Sequence, residues 1–337
     1  MKILMIGGTG IISTAVTEML AAQGHDLHLF CRGSRKVEYE GCEVILGDIN
    51  DEEAANKLLK NHSFDVVVDW TVFTTEQARR DIRLFKGKTQ QYIFIGTASS
   101  YQKPPKTYIV TESTPLENPF WDYSRTKTEC EDILMEEHRT SGFPVTIVRP
   151  SLTYGDANIP YVMNHWSASW TLIDRMRKGK RVIVPGDGTS LWVITHNSDF
   201  ARGITGLMGN KKAIGEAYHI TSDEVLTWDT ILDQIAEAAG VKPQKVYISS
   251  HFIAAIKPDE EGNLLGDKCY SLVFDNSKIK SIVPDYKAVV PFREGIKRSI
   301  THMESNPDSQ EVDREYGDQL DRIIEAHDSA INFRFEL

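Results

Sequence analysis

The sequence predicts an α/β fold in which a doubly wound parallel sheet is followed by a smaller, mixed α/β domain. Three observations predict it. Over roughly the first 150 residues, short Val-, Ile- and Leu-rich runs alternate with stretches of helical periodicity, as in a parallel sheet covered on both faces. The turn GGTG separates the first apolar run from the first helical stretch. Beyond residue 155 this alternation stops, and helices with isolated short strands follow.

Six apolar runs, each short and bounded by turn-forming residues, supply the predicted strands. In order they are KILMIG, DLHLFC, CEVILGD, FDVVVDW, QYIFIG and VTIVRP. Helices are predicted where apolar residues recur at helical spacing, as Val16 and Leu20 do. The main helical stretches are STAVTEMLAAQG, DEEAANKLLKNH, SASWTLIDRMRKGK, HNSDFARGITGLMGN, TWDTILDQIAEAAG and DREYGDQLDRIIEAHDSA, with strands in RVIVPGDG and EAYHITS.

Composition excludes several classes of protein. The 337 residues carry a formal net charge of −10, which argues against a broad nucleic-acid-binding face. We find no apolar run of about 20 residues, so no membrane partner is expected. The four cysteines lack metal-site spacing, so we expect no metal site and a cytoplasmic location. The basic stretch Arg175–Arg181 either meets a phosphate or ends a solvated helix.

The turn MIGGTGIIST is typical of a loop that holds a dinucleotide. Gly7, Gly8 and Gly10 lie between the first strand and the first helix. Backbone N–H groups approach a pyrophosphate only where no Cβ intrudes, and the helix N-terminus adds partial positive charge. A plain strand–helix turn is the alternative. Ser13 stands where the third, helix-packing glycine of such a loop would fall, and serine is small enough to be tolerated there.

The end of the second strand favours NADP over NAD, the alternative cofactor. Cys31 stands where an acidic residue would bind the ribose 2′-OH, and Arg32 and Arg35 follow as candidates for a 2′-phosphate. A solvated basic loop would look the same. Asp48, after the third strand, either accepts from the adenine or caps the next helix.

Tyr123 and Lys127 form a candidate catalytic pair, since residues four apart share one face of a helix. A lysine ammonium near a tyrosine favours the phenolate and makes it a usable base. Thr97, Ser99 and Ser100 follow a predicted buried strand, where a hydroxyl could hydrogen-bond a substrate oxygen.

These pieces together resemble an extended short-chain dehydrogenase/reductase of the NAD-dependent epimerase/dehydratase family. The resemblance is carried by the glycine loop, GD after the third strand, the hydroxyl cluster, YSRTK and RPSLTYG, with GKRVIVPGDG and THNSDFARGI further on. It covers residues 1 to about 240. It implies a Rossmann-type sheet in a dinucleotide-binding domain of residues 1–155 and 191–224. A substrate-binding domain would comprise residues 156–190 and 225–337.

The resemblance also implies site residues. Thr97 corresponds best to the catalytic Ser/Thr, Tyr123 to the acid/base, and Lys127 to its partner and ribose contact. The implied cofactor contacts are Gly7, Thr9, Gly10, Ile11, Ile12, Arg32, Arg35, Asp48, Ile49, Trp70, Thr71, Tyr123, Lys127, Pro150 and Leu152. Family members commonly dimerise through the helices that TEQARRDIRLFKG and TKTECEDILMEEHR represent here, so a homodimer is expected.

Departures from the family pattern bear on the substrate. The Asp-Glu pair that follows the catalytic threonine in 4,6-dehydratases is absent, since Ala98 and Ser99 follow Thr97. Trp192 stands where nucleotide-sugar enzymes often place an arginine facing the diphosphate, and its indole could stack on a sugar or aromatic ring. The candidate substrate contacts are Ser99, Ser100, Tyr154, His165, Trp166 and Trp192. Aromatic core packing is the alternative for the tryptophans, and a structural role is the expectation for His196.

The sequence therefore favours an NAD(P)-dependent oxidoreductase or epimerase acting on a small molecule, a sugar or sugar-nucleotide carbinol or ketone. An NADPH-dependent reductase of a non-nucleotide ketone is one alternative. Another is an RNA-associated protein, because relatives described as RNA-associated plastid proteins resemble GNKKAIGEAYHITSDEVLTWDTI. The acidic balance and the retained Tyr123 and Lys127 count against that alternative.

Overall fold

A seven-stranded parallel sheet organises the computed structural model, which describes residues 1–34, 39 and 41–332. The first elements are β1 (Lys2–Ile6), α1 (Ser13–Ala22), β2 (Asp26–Cys31), β3 (Cys42–Leu46), α2 (Glu52–Leu59), β4 (Phe64–Asp69), α3 (Thr75–Phe85), β5 (Thr89–Ile95), β6 (Ile109–Val110), α4 (Asp122–Ser141), β7 (Val145–Pro150) and β8 (Leu152–Tyr154).

The rest of the chain adds short strands and helices. They are α5 (Thr171–Arg177), β9 (Arg181–Pro185), β10 (Leu191–Trp192), β11 (Ile194–His196), α6 (Asn197–Leu207), β12 (Ala217–Ile220), β13 (Leu226–Thr227), α7 (Trp228–Ala238), β14 (Gln244–Ile248), α8 (Ser250–Ile256), α9 (Glu261–Asn263), β15 (Val273–Phe274), α10 (Ser277–Ile282), α11 (Phe292–Ser305) and α12 (Arg314–Ile331). A π-helical turn over Leu264–Lys268 follows α9.

The central sheet has the order β12-β7-β5-β4-β1-β2-β3, with every pairing parallel. Alternate residues of β1 enter different cores. Ile3 and Met5 join the core that contains α1 and α6, whereas Leu4 and Ile6 join the core on the other face. Burial on both faces explains the continuous apolar runs of the sequence. The predicted fold class, a doubly wound Rossmann-type sheet with a smaller mixed α/β region, is confirmed.

A third core lies in the C-terminal half, around α5, α7, α11, α12 and the two-stranded sheets β9–β14 and β10–β13. Trp192 and Trp228 stack there with their ring centroids 5.6 Å apart. Throughout the described residues no helix is long and apolar enough to cross a membrane.

The predicted bounds of the helix within residues 167–180 are wrong. The helix predicted over SASWTLIDRMRKGK begins only at Thr171 and ends at Arg177. Arg177, Lys178 and Lys180 are exposed at the end of α5, in agreement with the solvated helix end that was the alternative to a phosphate site. Most of the basic residues here pair with acidic residues of α11 and α12. The pairs are Arg175–Asp321, Arg177–Glu304, Lys178–Asp174, Lys180–Asp321 and Arg181–Asp328. These ion pairs fasten α12 and α11 to the α5–β9 segment.

A buried ion pair fixes α4 against the sheet. The Arg149 guanidinium on β7 donates to the Glu131 carboxylate on α4 at 2.6, 3.0 and 3.1 Å, and both side chains are almost fully buried. Gly96 makes room for it, since a Cβ there would lie 2.4 Å from Glu131 Oε1. Arg149 also donates to the Tyr101 hydroxyl at 3.3 Å.

We predict that Arg149→Met destabilises the protein by about 3–5 kcal/mol, because it leaves the Glu131 carboxylate buried and unpaired. The double change Arg149→Met/Glu131→Leu should recover much of this loss. Urea unfolding measures the free energies. The control is Arg139→Met, which breaks the exposed Arg139–Glu136 pair and should cost less than about 1 kcal/mol. Equal losses in the two single variants would contradict the assignment.

Candidate active site

The glycine loop between β1 and α1 brings bare backbone to the carboxyl edge of the sheet. Gly7 has φ +76°, and a Cβ there would lie 2.6 Å from Thr71 Cγ2. A Cβ on Gly8 would lie 2.8 Å from Leu29 Cδ2 and 2.9 Å from Thr17 Oγ1. Neither position admits a side chain without displacing a neighbour, so the loop passes close to the β4 end as a cofactor loop does.

The Ser13 side chain forms hydrogen bonds within the glycine loop. Its side chain is buried, accepts from the Gly10 N–H at 2.7 Å and donates to the Gly7 carbonyl at 3.0 Å. The hydroxyl thus closes the loop from inside, joining two of its glycines. A glycine at position 13 could make neither hydrogen bond, so this departure from the family pattern adds rigidity to the turn.

The N-terminus of α1 is open to an anion. The N-cap residue, Ile12, provides no side-chain cap within this fully described helix, which leaves first-turn N–H groups for a ligand. Asn197, at the start of α6, donates from Nδ2 to the Ile11 carbonyl at 2.8 Å and holds the loop from the other side. Thr9, Ile11 and Ile12 all lie in this turn.

A second loop, after β4, completes the cradle. Asp69 accepts from the Thr71 N–H and hydroxyl, each at 2.6 Å, and Arg80 donates to Asp69 at 3.0 Å. Arg80 also donates to Asn50 Oδ1 at 2.8 Å, so the loops after β3 and β4 are tied together. The buried Trp70 Nε1–H has no hydrogen-bond partner among the described residues. Bare backbone, an uncapped helix and an orphaned donor fit a dinucleotide diphosphate.

The other predicted cofactor residues lie around this edge. Arg32 is exposed directly after β2. Asp48 is exposed and accepts from the Asn50 N–H at 3.0 Å; its proposed capping role is wrong, because Asp51 caps α2 by accepting from Ala54 N–H. The remaining three are buried where strands end or resume: Ile49, Pro150 and Leu152. Arg35 lies outside the described residues.

The catalytic candidates converge where β5 ends and α4 begins. Thr97 precedes a 3₁₀ turn over Ala98–Ser100, and its Oγ1 lies 2.9 Å from Ser99 Oγ. Tyr123 stands in the first turn of α4, half-buried, with its ring centroid 5.2 Å from that of Trp121. The Thr97 hydroxyl lies close enough to the Tyr123 phenol to lower its pKa.

Opposing influences act on the pKa of Tyr123. Burial raises it most, the Thr97 hydroxyl lowers it, and the negative charge of Asp267 raises it further. The phenol is therefore protonated near neutral pH in the protein alone. A positive charge near the ring is needed before it can serve as a base.

Lys127 lies one helical turn further along α4 and carries a buried positive charge. Its Nζ donates to the carbonyls of Val72 at 2.7 Å and Ile95 at 2.6 Å, beyond the end of β4 and at the end of β5. Since an ammonium has three N–H donors, one remains for a further acceptor. Nζ also lies 4.9 and 4.7 Å from the ring centroids of Phe73 and Phe94. Burial lowers its pKa to about 8, so it stays mostly charged at neutral pH.

Several side chains that were predicted to contact the substrate are buried in the structure. Ser100 is fully buried and donates to the Ser124 carbonyl at 3.1 Å, and Ser99 Oγ lies 2.7 Å from Ser124 Oγ. Tyr154 is fully buried in the core against Phe292. The expectation of direct substrate contact is not supported for Ser100 and Tyr154, because the turn and β8 pack against neighbouring elements.

The aromatic candidates do not share one helix face. Trp166 is exposed, whereas Trp170 is buried and precedes α5. His165 pairs with Asp313 at 3.3 Å beside α12. Trp192 does not offer an open stacking face, because its ring is buried and already stacks on Trp228. His196 caps α6 and pairs with Asp156 at 3.2 Å, which supports the structural role expected for it.

Three residues that support the site were missed by the sequence analysis. Asn197 holds the glycine loop, and Arg80 joins the loops after β3 and β4. Asn118 donates to the Ser99 carbonyl at 2.7 Å and to the Gly266 carbonyl at 2.6 Å, linking the hydroxyl turn to the π-helical turn. Their partners are backbone carbonyls or residues of remote loops, and the sequence carries no signal for such contacts.

Comparison with known proteins yields one family. Its model, described as the NAD dependent epimerase/dehydratase family, matches residues 3–221. A chloroplast stem-loop binding protein of 41 kDa from Arabidopsis thaliana is 25% identical over 71% of this chain and 63% of its own length. The chain thus matches less than two thirds of that relative. The 2′-dehydrokanamycin reductase of Streptomyces kanamyceticus is 22% identical over 85% of this chain and 80% of its own.

A solved structure shares the fold. It is the dTDP-glucose 4,6-dehydratase of Bacillus anthracis in complex with NAD, which aligns with a TM-score of 0.73 at 20% identity. The alignment covers 92% of this chain and 98% of that one.

We predict that Lys127 makes stability depend on pH in a defined direction. The unfolded chain binds this proton up to a pKa near 10.4, but the folded protein releases it near 8. The cost of burying the charge is therefore full below about pH 8 and fades as the pH rises. Between about pH 7 and 10, the wild type should gain roughly 2 kcal/mol relative to Lys127→Met in urea unfolding. A difference that is constant with pH would contradict the assignment.

Proposed function

Because this chain belongs to the NAD-dependent epimerase/dehydratase family, we propose that it oxidises or reduces a carbinol or ketone on a sugar or sugar nucleotide. Two observations carry this proposal: Tyr123 lies beside Thr97 after β5, and the Lys127 ammonium lies at the ends of β4 and β5. Relatives named as epimerase and dehydratase of nucleotide sugars support the substrate class.

The bound dinucleotide would supply or accept hydride. The chain itself would hold the diphosphate at the Gly7–Ile12 turn and transfer one proton to or from the substrate oxygen. We assign to Tyr123 the giving or taking of that proton, to Thr97 the positioning of the phenol whose pKa it lowers, and to the Lys127 ammonium the stabilisation of the phenolate. All three groups lie within the same edge of the sheet.

We propose NADP as the cofactor, with NAD as the alternative. Cys31 offers no carboxylate to a ribose 2′-OH, and the exposed Arg32 directly after β2 is available to bind a 2′-phosphate. A guanidinium binds a phosphate through paired, charge-assisted hydrogen bonds, which the 2′-OH of NAD cannot reciprocate.

A net reductase of a non-nucleotide ketone is a second candidate. Trp192 replaces the diphosphate-facing arginine and is enclosed in the core. The relative named 2′-dehydrokanamycin reductase supports this candidate as well. An epimerase returns its cofactor unchanged, whereas a reductase consumes it, so NADPH consumption per product separates them. The name of the Arabidopsis relative supports the RNA-binding alternative. The acidic charge balance of this chain counts against it.

We predict that Arg32→Ala weakens NADPH binding roughly tenfold or more, because it removes a charge-assisted contact. NADH binding should change little. Quenching of protein fluorescence by each nucleotide measures the two dissociation constants. Arg139→Ala, which removes an exposed arginine of α4, serves as the control. Equal weakening of NADPH and NADH would show that Arg32 does not bind the 2′-phosphate.

We predict that Tyr123→Phe binds NADPH normally but loses turnover by about 10²- to 10⁴-fold, the usual contribution of a general acid/base. The assay follows nicotinamide absorbance with a panel of sugars, sugar nucleotides and ketones. Tyr247→Phe alters a more exposed tyrosine on β14 and should leave turnover intact. Near-normal activity of Tyr123→Phe would remove this residue from the proposed role.

A further inference from the structure

Three charged side chains are buried together next to the start of α4. Lys103 Nζ lies 3.6 Å from Asp267 Oδ1, and Lys268 Nζ lies 3.2 Å from Asp267 Oδ2. The three side chains are only 0%, 9% and 9% exposed, for Lys103, Asp267 and Lys268 in turn. We call this group the Lys–Asp–Lys cluster.

The Lys–Asp–Lys cluster has a surplus of positive charge. Two ammonium groups face one carboxylate. The neighbouring Cys269 thiol does not offset this, because burial raises its pKa to about 11 and keeps it neutral. Lys103 also donates a hydrogen bond to the Tyr101 carbonyl at 3.1 Å, which is a neutral acceptor. Among the described residues the two cations share this one carboxylate, and burial, with a further contribution from the charge of Lys268, lowers the pKa of Lys103, so the positive charge is incompletely compensated. An uncompensated buried charge is costly, so a ligand anion would stabilise it.

The Lys–Asp–Lys cluster is held in a fixed position from three sides. Asn118 Nδ2 donates to the Gly266 carbonyl at 2.6 Å, and Trp228 Nε1 donates to the Lys268 carbonyl at 2.9 Å. Ser190 donates to the Cys269 carbonyl at 2.9 Å. The backbone that carries Asp267 and Lys268 is thereby rigid, as a preorganised binding site requires.

The Lys–Asp–Lys cluster lies beside the catalytic candidates. Lys268 Nζ is 5.5 Å from the ring centroid of Trp121, and that ring is 5.2 Å from the ring of Tyr123. Asp267 is close enough to Tyr123 for its charge to raise the phenol's pKa. A group bound here would belong to the same molecule that meets Tyr123.

Trp192 also faces the Lys–Asp–Lys cluster. Lys268 Nζ lies 5.8 Å from its ring centroid, and the buried Trp192 Nε1–H has no hydrogen-bond partner among the described residues. The positive charge that an arginine at position 192 would bring is thus provided nearby by Lys268. An unpartnered donor and a surplus cation both call for an acceptor with negative charge.

We propose that the substrate carries an oxyanion, a carboxylate or phosphate, which binds to Lys103 and Lys268 while Tyr123 acts on the adjacent carbon–oxygen centre. This inference rests on the proposed oxidoreductase function and narrows its substrate to an anionic sugar or ketone. Asp267 orients the two ammonium groups and limits the charge of the empty cluster.

The test is calorimetric titration of the NADP⁺-loaded protein with glucuronate, glucose 1-phosphate and glucose. The wild type should bind at least one anionic sugar roughly tenfold or more tightly than glucose. Lys103→Met and Lys268→Met should lose this preference, whereas Asp267→Asn should strengthen it by adding to the surplus charge. Preference for glucuronate would identify a carboxylate, and preference for glucose 1-phosphate a phosphate.

The matched control is Lys278→Met, which removes a lysine that also pairs with a carboxylate and lies over an aromatic ring, those of Glu216 and Tyr218. It should keep the wild-type preference. Thermal unfolding checks that each variant folds; Lys268→Met should remain folded because it leaves the cluster neutral.

Equal binding of all three sugars, failure of all three to bind, or a preference that survives in folded Lys268→Met would overturn the proposal. Binding of NADPH and NADH is measured on the same samples. A wild type that binds NADPH or NADH but shows no anion preference refutes this inference alone, whereas a folded wild type that binds neither nucleotide refutes the proposed function.

Discussion

The architecture of the candidate site depends on one buried ammonium. Lys127 donates to the Ile95 carbonyl at the end of β5 and to the Val72 carbonyl beyond the end of β4, and it thereby fixes the first turns of α4 against the sheet. Desolvation makes that charge costly, which lowers its pKa to about 8. The carbonyls and aromatic rings around it offset enough of the cost to keep the charge at neutral pH. The buried Arg149–Glu131 pair holds the same helix one turn further along. The helix that carries Tyr123 is therefore fixed to the sheet at two places.

On the cofactor side, too, a few polar side chains hold the backbone in place. Ser13 closes the glycine loop with a hydroxyl, Asn197 ties that loop to α6, and the Asp69–Arg80–Asn50 chain joins the loops after β3 and β4. Each contact uses a polar side chain to fix backbone that must remain free of Cβ atoms on its ligand side. The substrate side is built differently, from a π-helical turn that carries Asp267 and Lys268 beside tryptophan rings.

The sequence predicted the sheet because strands buried on both faces leave continuous apolar runs, as FDVVVDW and VTIVRP do. It also placed Thr97 after β5 and Tyr123 and Lys127 one turn apart on α4, since a strand–loop–helix order brings these elements to one edge of the sheet; their catalytic roles stay predictions. It could not predict contacts made by tertiary packing alone. Asp267 is far from Tyr123 in the sequence, yet its charge acts on the phenol. The acidic residues of α12 that neutralise Arg175 and Arg181 are likewise far from them in the sequence. Burial of Ser100 and Tyr154 likewise depends on which neighbours cover them.

The central claim is that the Gly7–Ile12 turn and the edge next to Lys127 hold one nicotinamide dinucleotide. Native mass spectrometry of the purified protein, incubated with a mixture of NADP⁺, NAD⁺ and ADP, tests it most directly. The account predicts a mass increment of one dinucleotide per chain, with the NADP⁺ adduct dominant. A folded protein that shows no dinucleotide adduct, or that retains only ADP, would contradict it.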